Sequence, residues 1–225
     1  MTLLPLRVST RRAVRPPGTK AAVKRSIDVV LAGSALVVLA PVLLAIVVIV
    51  RCTSRGPALF RQERLGLDAQ PFTVLKFRTM RVDCDDGVHR DYVTRLLTAQ
   101  SPPVGGESGL YKLDCDPRIT PVGHWLRRTS LDELPQLVNV VRGEMSLVGP
   151  RPPLAWEATL YSKDERRRFE VLPGITGLWQ VSGRSRLSMR EALALDVEYV
   201  RRQSLWLDLL ILARTVPAVL RREAT

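Results

Sequence analysis

The most apolar stretch of the chain lies near its beginning, where residues 29–50 form an almost unbroken apolar run. A helix of these 22 residues would measure about 33 Å, which is enough to cross the hydrocarbon core of a membrane. Pro41 lies near the middle of the run. A proline inside a helix removes one backbone hydrogen bond and clashes with an earlier carbonyl. The pattern therefore predicts a membrane-embedded segment that kinks or breaks at Ala40 and Pro41.

Basic residues flank the apolar run on both sides. These cations are Lys20, Lys24, Arg25, Arg51, Arg55, Arg61 and Arg64. Basic flanks lie on the cytoplasmic side of a membrane, so two such flanks predict a segment that enters and returns on one side. We therefore predict a re-entrant helix–break–helix hairpin over residues 24–55, hinged at Ala40 and Pro41. A single kinked helix that crosses the membrane is the alternative that charge and proline leave open.

The pattern beyond the hairpin is that of a folded domain. Apolar residues predict short strands near 72–77 and 145–148, and one helix is predicted near 92–97. The segment 83–109 is polar and rich in Asp, Gly and Pro, which is typical of a loop or small insertion. Residues 56–225 are therefore predicted to form an α+β domain that is mostly helical.

The last apolar segment covers residues 205–220 and contains Pro217. Four polar residues recur every seven positions in or beside it: Arg201, Asp208, Thr215 and Arg222. On a helix they form one narrow polar stripe, and the rest of the surface is apolar. The segment is short for a membrane span, so the pattern favours an amphipathic helix that lies in the membrane interface. A helix buried in the core is the alternative.

The composition adds a strong positive charge to this picture. The 225 residues carry a formal net charge of +12, which implies an anionic partner such as nucleic acid, anionic lipid or a phosphorylated substrate. Residues 1–23 contain basic residues and no acid, and predict a mobile arm that is attracted to anionic lipid. The three cysteines and two histidines do not have the spacing of a disulfide framework or a zinc site.

An adjacent pair of acids, Asp132 and Glu133, is the most informative chemical feature. Ser130 and Glu133 have the spacing of a capping box, which predicts that a helix begins there, and Pro135 is tolerated close to such a start. The positive end of a helix dipole keeps carboxylates ionised and attracts phosphate. One carboxylate of such a pair can attack phosphorus while the other holds Mg²⁺. Alternatively, the acids simply stabilise a helix start.

Arginines near the acid pair favour the interpretation that these acids act on a phosphate group over the interpretation that they only stabilise a helix start. Arg127 and Arg128 lie just before the acids, and residues 149–152 have the sequence Gly-Pro-Arg-Pro. A rigid turn of this kind can present the guanidinium of Arg151 for bidentate phosphate binding. Together with the acid pair, these residues suggest a diphosphate clamp.

A third cluster covers residues 173–184, with the sequence PGITGLWQVSGR. Its glycines indicate close backbone approach or an unusual turn. Within it, Gln180 can bind hydroxyl groups and Arg184 can bind phosphate. Trp179 either stacks on a sugar or base, or packs into the core, and the sequence leaves both open.

With these features the chain resembles the bacterial sugar transferase family, the monotopic phosphoglycosyl transferases of the undecaprenyl-phosphate hexose-phosphate transferase type. The resemblance extends over nearly everything from residue 24 to about 220. The matching stretches are Lys24-Arg25 with Asp28, the proline-containing apolar run, Gly56-Pro57 with Gln62, Arg64 and Gly66, KFRTM at 76–80, DPRIT at 116–120, SLDELPQL at 130–137, MSLVGPRP at 145–152, and residues 173–184.

The resemblance implies a re-entrant helix and an active site at the cytoplasmic face of the inner membrane. It implies that Asp132 attacks the sugar-bearing phosphate of a UDP-sugar and releases UMP, after which polyprenyl phosphate takes the phosphosugar. Glu133 is the implied Mg²⁺ ligand. The implied phosphate contacts are Arg127 and Arg151, and further Lys76 and Arg78. Family members often have serine before the hinge proline, where this chain has Ala40.

The partners implied by the resemblance are a UDP-sugar, polyprenyl phosphate and inner-membrane lipid, with a homo-oligomer possible. The reaction would be the first membrane step of exopolysaccharide, capsule, O-antigen or glycoconjugate synthesis, and residues 173–184 resemble members that transfer a hexose phosphate. Two alternatives belong to other classes. A basic nucleic-acid-binding protein fits the charge but not the few aromatics and the lack of a recognised module. A non-catalytic membrane scaffold would leave Asp132 and Glu133 replaceable.

Overall fold

The computed structural model describes residues 18–81, 87–98, 116–183 and 187–220. The helices are α1 (Thr19–Thr53), α2 (Gly87–Thr98), α3 (Pro121–Arg128), α4 (Gln136–Arg142), α5 (Ala155–Thr159), α6 (Leu178–Ser182), α7 (Met189–Arg202) and α8 (Leu205–Leu220). The strands are β1 (Leu59–Leu65), β2 (Pro71–Phe77), β3 (Ser146–Val148) and β4 (Gly174–Thr176). Single 3₁₀ turns are found at Leu67–Ala69, Leu131–Glu133 and Glu165–Glu170. The described chain is mostly helical with some sheet, which confirms the predicted α+β class.

The strands form two small sheets. β1 and β2 make an antiparallel hairpin in which Leu59 lies opposite Phe77. β3 and β4 are parallel, and Val148 lies opposite Thr176. The predictions of a strand near 72–77, a strand near 145–148 and a helix near 92–97 are confirmed by β2, β3 and α2. The sequence pattern did not predict β1 and β4.

The apolar N-terminal run forms one helix of 35 residues, α1, with Pro41 inside it. The helix runs without interruption through Ala40 and Pro41, so the structure differs from the prediction of two helices separated by a break. A proline removes a single backbone hydrogen bond. An open break would leave several unpaired backbone groups among apolar side chains, at a greater cost in free energy. α1 begins at Thr19, inside the segment predicted as an arm, and residues 1–17 lie outside the described chain.

One side of α1 lies against the rest of the protein along most of its length. Near its beginning, Ala32 is fully buried in a cluster that includes Val140 of α4. Near its end, Ile46 and Val50 pack against Phe77 of β2. These two groups of contacts place both halves of α1 on the same domain.

The opposite side of α1 is exposed and apolar. Val37 and Val38 are 76% and 75% exposed. Among the described residues, α1 alone is long and apolar enough to cross a membrane, and only 11% of its most apolar window is buried. A core helix of a soluble protein would be covered on most sides, so this exposed face is suited to contact with lipid.

Polar contacts fasten the beginning of α1 to the domain. The Lys24 ammonium lies 2.8 Å from a carboxylate oxygen of Asp208 in α8. Asp28 is buried and accepts a 2.7 Å hydrogen bond from the Ser146 hydroxyl of β3. Arg25 donates to the Val140 carbonyl at the end of α4, at 2.5 Å. The beginning of α1 is therefore held by three different elements.

The polar stripe of α8 faces the protein interior. Asp208 is buried and accepts a 2.7 Å hydrogen bond from the Tyr199 hydroxyl, and the hydroxyls of Thr215 and Thr176 lie 2.8 Å apart. The outer face is apolar, and Trp206 is 76% exposed. This exposure excludes a helix buried in the core. Of the predicted polar stripe, Asp208 and Thr215 lie on the inward face of α8, whereas Arg201 is an exposed residue of α7 and Arg222 lies outside the described residues. Because the stripe points inward, the apolar face is left for an interface.

Candidate active site

The acid pair lies in a tight turn between α3 and α4. Residues Leu131–Glu133 form a single 3₁₀ turn, and α4 begins only at Gln136. Ser130 is in the left-handed conformation, with φ 56°, and its side chain makes no capping hydrogen bond. The capping-box prediction is therefore wrong. Its physical cause is that Glu133 forms an ion pair with Lys76 instead of returning to the helix start.

Cations from two other elements surround Glu133. The Lys76 ammonium, on β2, lies 2.6 Å from Glu133 Oε1, and Arg151 Nη1 lies 3.9 Å from the same oxygen. These three side chains are between 21% and 27% exposed, so a small anion from solvent can reach them. The positive field at the acid pair thus comes from side chains more than from the start of α4.

Asp132 is more enclosed than its neighbour, at 8% exposed. Its negative charge acts on both the Lys76 ammonium and the Arg127 guanidinium. Burial lowers the pKa of Lys76, and the carboxylates of Glu133 and Asp132 oppose that shift. Burial also lowers the pKa of Arg127, against the opposing charge of Asp132. A partly desolvated carboxylate among cations is suited to attack an anionic phosphate group.

Arg127 is held in place by the DPRIT segment and by the residues that follow β2. It occupies the last turn of α3, and its Nε donates to the Thr79 hydroxyl at 3.1 Å. Asp116 is paired with Arg118 at 2.7 Å, and its charge acts on Arg127 as well. Hydrogen bonding from Arg118 lowers the pKa of Asp116, so this carboxylate stays ionised beside Arg127.

The turn that carries Arg151 is fixed by the parallel sheet. Gly149 N–H donates to the Thr176 carbonyl at 2.9 Å, and Gly174 N–H donates to the Pro150 carbonyl at 2.9 Å. Arg168 donates to the Arg151 carbonyl at 2.5 Å. The predicted rigid turn is therefore pinned by backbone hydrogen bonds on both sides.

We expect Gly174→Ala to unfold or distort this turn. A Cβ at residue 174 would lie 2.0 Å from Gly149 N, a clash with backbone that no rotamer can relieve. Overpacking of this kind costs about 1–3 kcal/mol or more. Thermal unfolding of the detergent-solubilised variant measures the loss. Gly33→Ala is the matched control because nothing lies within 4 Å of its Cβ position, and a melting temperature equal to that control would contradict the expectation.

The other predicted site residues lie in different places. Arg78 is buried, and its guanidinium donates to the Ser54 carbonyl at 2.8 Å and to the Arg55 carbonyl. Arg78 thus binds the last carbonyls of α1, and the structure does not bring it to the acid pair. Arg184 lies outside the described residues. Ala40 and Pro41 are exposed on α1.

Trp179 packs into the hydrophobic core and is 7% exposed. Its cluster includes Leu193 of α7 and Phe169. Of the two interpretations that the sequence left open, the structure supports the core and disfavours stacking on a substrate.

A small pocket that is open to solvent lies beside Glu133. Lys76, Glu133 and Arg151 line it, and so does Gln180, which the sequence predicts to bind hydroxyl groups. Arg64 and Gln136 also line it, and the sequence analysis did not select them. Gln136 belongs to the SLDELPQL stretch and lies three residues beyond Glu133. A polar amide so close to the two acids in the sequence is the signal that could have identified it.

The acid pair also has donor atoms suited to magnesium. Carboxylate oxygens are the ligands that Mg²⁺ prefers, and the ion commonly uses one or two of them together with water and substrate phosphates. Among residues 18–81, 87–98, 116–183 and 187–220, no group of three or more Asp, Glu, His or Cys side chains is placed to hold a metal alone. Asp132 and Glu133 therefore fit a magnesium ion that arrives with a phosphorylated substrate.

An acid pair ringed by cations, beside helices with exposed apolar faces, is typical of a membrane-associated enzyme that transfers phosphoryl groups. The family model described as "Bacterial sugar transferase" matches residues 19–222. The chain belongs to the bacterial sugar transferase family and is a transferase.

Three relatives illustrate the similarity. The exopolysaccharide production protein ExoY of Rhizobium meliloti is 43% identical over 92% of this chain and 88% of its own. The UDP-galactose-lipid carrier transferase of Erwinia amylovora is 43% identical over 89% of this chain but 41% of its own. The UDP-glucose:undecaprenyl-phosphate glucose-1-phosphate transferase of Caulobacter vibrioides is 42% identical over 88% of this chain and 69% of its own. The chain thus spans most of ExoY and about two fifths of the Erwinia protein.

Proposed function

We propose that this protein transfers a sugar-1-phosphate from a UDP-sugar to polyprenyl phosphate at the cytoplasmic face of the inner membrane. The observation that carries the proposal is the enclosed Asp132 among the cations of Lys76, Arg127 and Arg151. Relatives named for UDP-galactose, UDP-glucose and undecaprenyl phosphate support the choice of substrates. The product would serve exopolysaccharide or a similar glycan.

The first step is an attack by a carboxylate oxygen of Asp132 on the sugar-bearing phosphorus. A new O–P bond forms, the bond to the oxygen that bridges the two phosphates breaks, and UMP leaves with that electron pair. Phosphoryl transfer depends mainly on positioning and on neutralising negative charge. Arg127 and Arg151 are the two guanidinium groups placed to bind the diphosphate oxygens, and Lys76 adds a third cation.

In the second step, a phosphate oxygen of the polyprenyl acceptor attacks the same phosphorus. The bond to Asp132 breaks and the carboxylate is regenerated, so the product is a polyprenyl diphosphate sugar and no proton needs to be moved. Glu133, with phosphate oxygens of the substrate, would hold Mg²⁺, which when bound neutralises charge on the diphosphate. The pairing of Glu133 with Lys76 keeps this carboxylate in position between substrates.

The membrane geometry that suits this reaction is re-entrant. Lys24 and Asp28 fasten the beginning of α1 to the domain, while Val50 packs against it near the other end. Both ends of α1 therefore lie on the side of the domain, which supports entry and return on one face. Pro41 would permit the necessary bend.

A labelling experiment tests the topology. We expect single cysteines at residue 20 (Lys20→Cys) and at the natural, exposed Cys52 to react with a membrane-impermeant thiol reagent from the same side. Cys84→Ser and Cys115→Ser, with Cys52→Ser for the first variant, remove the other thiols. Reaction of the two positions from opposite sides would establish a crossing helix and contradict re-entry.

UMP release tests the reaction itself. The purified protein in detergent should release UMP from at least one UDP-sugar when polyprenyl phosphate and Mg²⁺ are present. A chelator should stop the release, and added Mg²⁺ should restore it. If no UDP-sugar yields UMP under these conditions, the proposed function is wrong.

We expect kcat/KM to fall as the pH rises, and to do so at a lower pH than a lysine with its usual pKa of 10.5 would produce. Burial lowers the pKa of Lys76 from its usual 10.5, so the ammonium loses its proton earlier as the pH rises and phosphate binding weakens. Lys76→Arg should move that fall to higher pH, because arginine keeps its charge. The pH profile of kcat/KM measures the shift, with the exposed Lys163→Arg as control. An unchanged alkaline limb in Lys76→Arg would contradict the assignment.

A further inference from the structure

The pocket beside the acid pair contains two glutamine amides that bind nothing in the described chain. Gln136 is 3% exposed and lines the pocket, and within the described ranges no group hydrogen-bonds to its side chain. The side-chain oxygen of Gln180 is also buried, and among the same residues it has no partner. Buried polar groups are nearly always hydrogen-bonded, so the unpartnered oxygen of Gln180, with the Gln136 amide in the same pocket, indicates a ligand.

The chemistry of an amide limits what that ligand can be. The carbonyl oxygen of Gln180 only accepts hydrogen bonds, and the doubly esterified diphosphate of a UDP-sugar has no proton to donate at neutral pH. A neutral group with hydroxyls suits both glutamines, because a hydroxyl can donate to an amide oxygen and accept from an amide nitrogen. The cations of the site serve the phosphates, and the amides are left for an uncharged part of the substrate.

The charged residues that line the same pocket indicate which uncharged part of the substrate the two amides would bind. Lys76, Glu133 and Arg151 line the same space, so its contents lie next to the reacting phosphorus. In a UDP-sugar the hexose is bonded directly to that phosphate, whereas the uracil lies beyond a second phosphate and a ribose.

Gly177 has no side chain, and this leaves space for the Gln180 amide. A Cβ on Gly177 would lie 2.6 Å from Gln180 Oε1 and 2.5 Å from the Gly149 carbonyl. A side chain at residue 177 would push this amide out of its position. The close packing therefore preserves an amide orientation that the protein itself does not use.

From these observations we propose that Gln136 and Gln180 hydrogen-bond to hydroxyl groups of the donor hexose and so determine which sugar is transferred. This inference rests on the proposed function, since it assumes a UDP-hexose as donor. It assigns specificity to two amides on different elements, one at the start of α4 and one in α6.

The test replaces each amide by an apolar side chain of similar length, in Gln136→Met and Gln180→Met. Each variant should lose about tenfold in kcat/KM for the preferred UDP-hexose, the effect of one lost hydrogen bond. Thermal stability should stay equal or rise, because an unpaired buried amide is removed. Gln70→Met, at an exposed glutamine in the turn before β2, is the matched control and should change neither quantity.

Monodeoxy UDP-hexoses identify the atoms involved. The wild type should use at least one of them about tenfold less well than the parent donor, and one glutamine variant should not discriminate between the two. Inhibition by UDP alone should be unchanged in both variants. Equal discrimination in the wild type and both variants would overturn the inference, as would weaker UDP inhibition or a large loss of stability. A wild type that releases no UMP would instead refute the proposed function.

Discussion

Replacing Asp132 by asparagine should abolish UMP release, with a loss of about 10⁴-fold or more, the size expected when a nucleophile is removed. Asparagine has nearly the same shape as aspartate, so the substitution should leave the fold intact. Its amide has no carboxylate oxygen that could form an acyl-phosphate bond with the sugar-bearing phosphorus. The measurement is UMP released from the preferred UDP-sugar in the presence of Mg²⁺.

A matched control separates loss of the nucleophile from loss of a charge. Asp68 lies in the exposed turn between β1 and β2, with φ 53°, a conformation that asparagine tolerates well. Asp68→Asn should keep full activity while changing the net charge equally. If Asp132→Asn were as active as this control, Asp132 would not be the nucleophile.

The second large effect is expected at Arg168, which lies behind the site. Its guanidinium is 2.6 Å from a carboxylate oxygen of Asp196, and both side chains are 2% exposed. It also donates to the Tyr161 hydroxyl at 2.9 Å and to the Arg151 carbonyl. Arg168→Leu would leave a buried carboxyl without its cation, which costs about 3–5 kcal/mol. Chemical unfolding of the detergent-solubilised protein measures this loss.

The stability loss in Arg168→Leu should depend on pH. Burial raises the pKa of Asp196 to about 7, against the opposing charge of Arg168. Without the arginine the pKa rises further, so the carboxyl stays neutral over a wider range. A protonated Asp196 needs no cation, and the folded state binds its proton more tightly than the unfolded state does. The deficit should therefore be smaller at about pH 5 and grow as the pH rises to about 8.

A double variant gives the control for this pair. Arg168→Leu with Asp196→Leu removes both charges and should recover part of the lost stability, because apolar replacements of buried ion pairs are often neutral or stabilising. Activity should stay low, since the Arg151 carbonyl loses its anchor. A double variant less stable than Arg168→Leu at every pH would contradict the ion-pair explanation.

Sequence patterns predicted the elements that depend on neighbouring residues. β2, β3, α2 and α8 follow from apolar runs and periodicity, and the Gly-Pro turn at Arg151 follows from local chain stiffness. The polar stripe of α8 was visible as well. The sequence did not show that this stripe faces the protein interior, because that direction depends on the ion pair between Asp208 and Lys24, which lies far away in the chain.

Long-range contacts account for what the sequence could not predict. Ser130 and Glu133 match a capping box, yet Lys76 from β2 takes the carboxylate and the box does not form. Arg78 has the charge to bind phosphate but is bound to carbonyls at the end of α1. In each case a local preference yields to a partner brought close by the fold.

Under the proposed function, the exposed apolar faces of two helices would bring a lipid acceptor to the site that binds a soluble donor. The ion pair of Lys24 with Asp208 joins α1 to α8. Their outward faces, such as those at Val38 and Trp206, are exposed and apolar.

The most direct test of the proposed chemistry is to trap the reaction between its two steps. The protein is mixed with UDP-sugar and Mg²⁺ without polyprenyl phosphate, quenched, and examined by intact-protein and peptide mass spectrometry. The account predicts one added phosphohexose on the peptide that contains Asp132, and none in Asp132→Asn. An enzyme that completes turnover with acceptor, yet never carries a phosphosugar on Asp132, would contradict it.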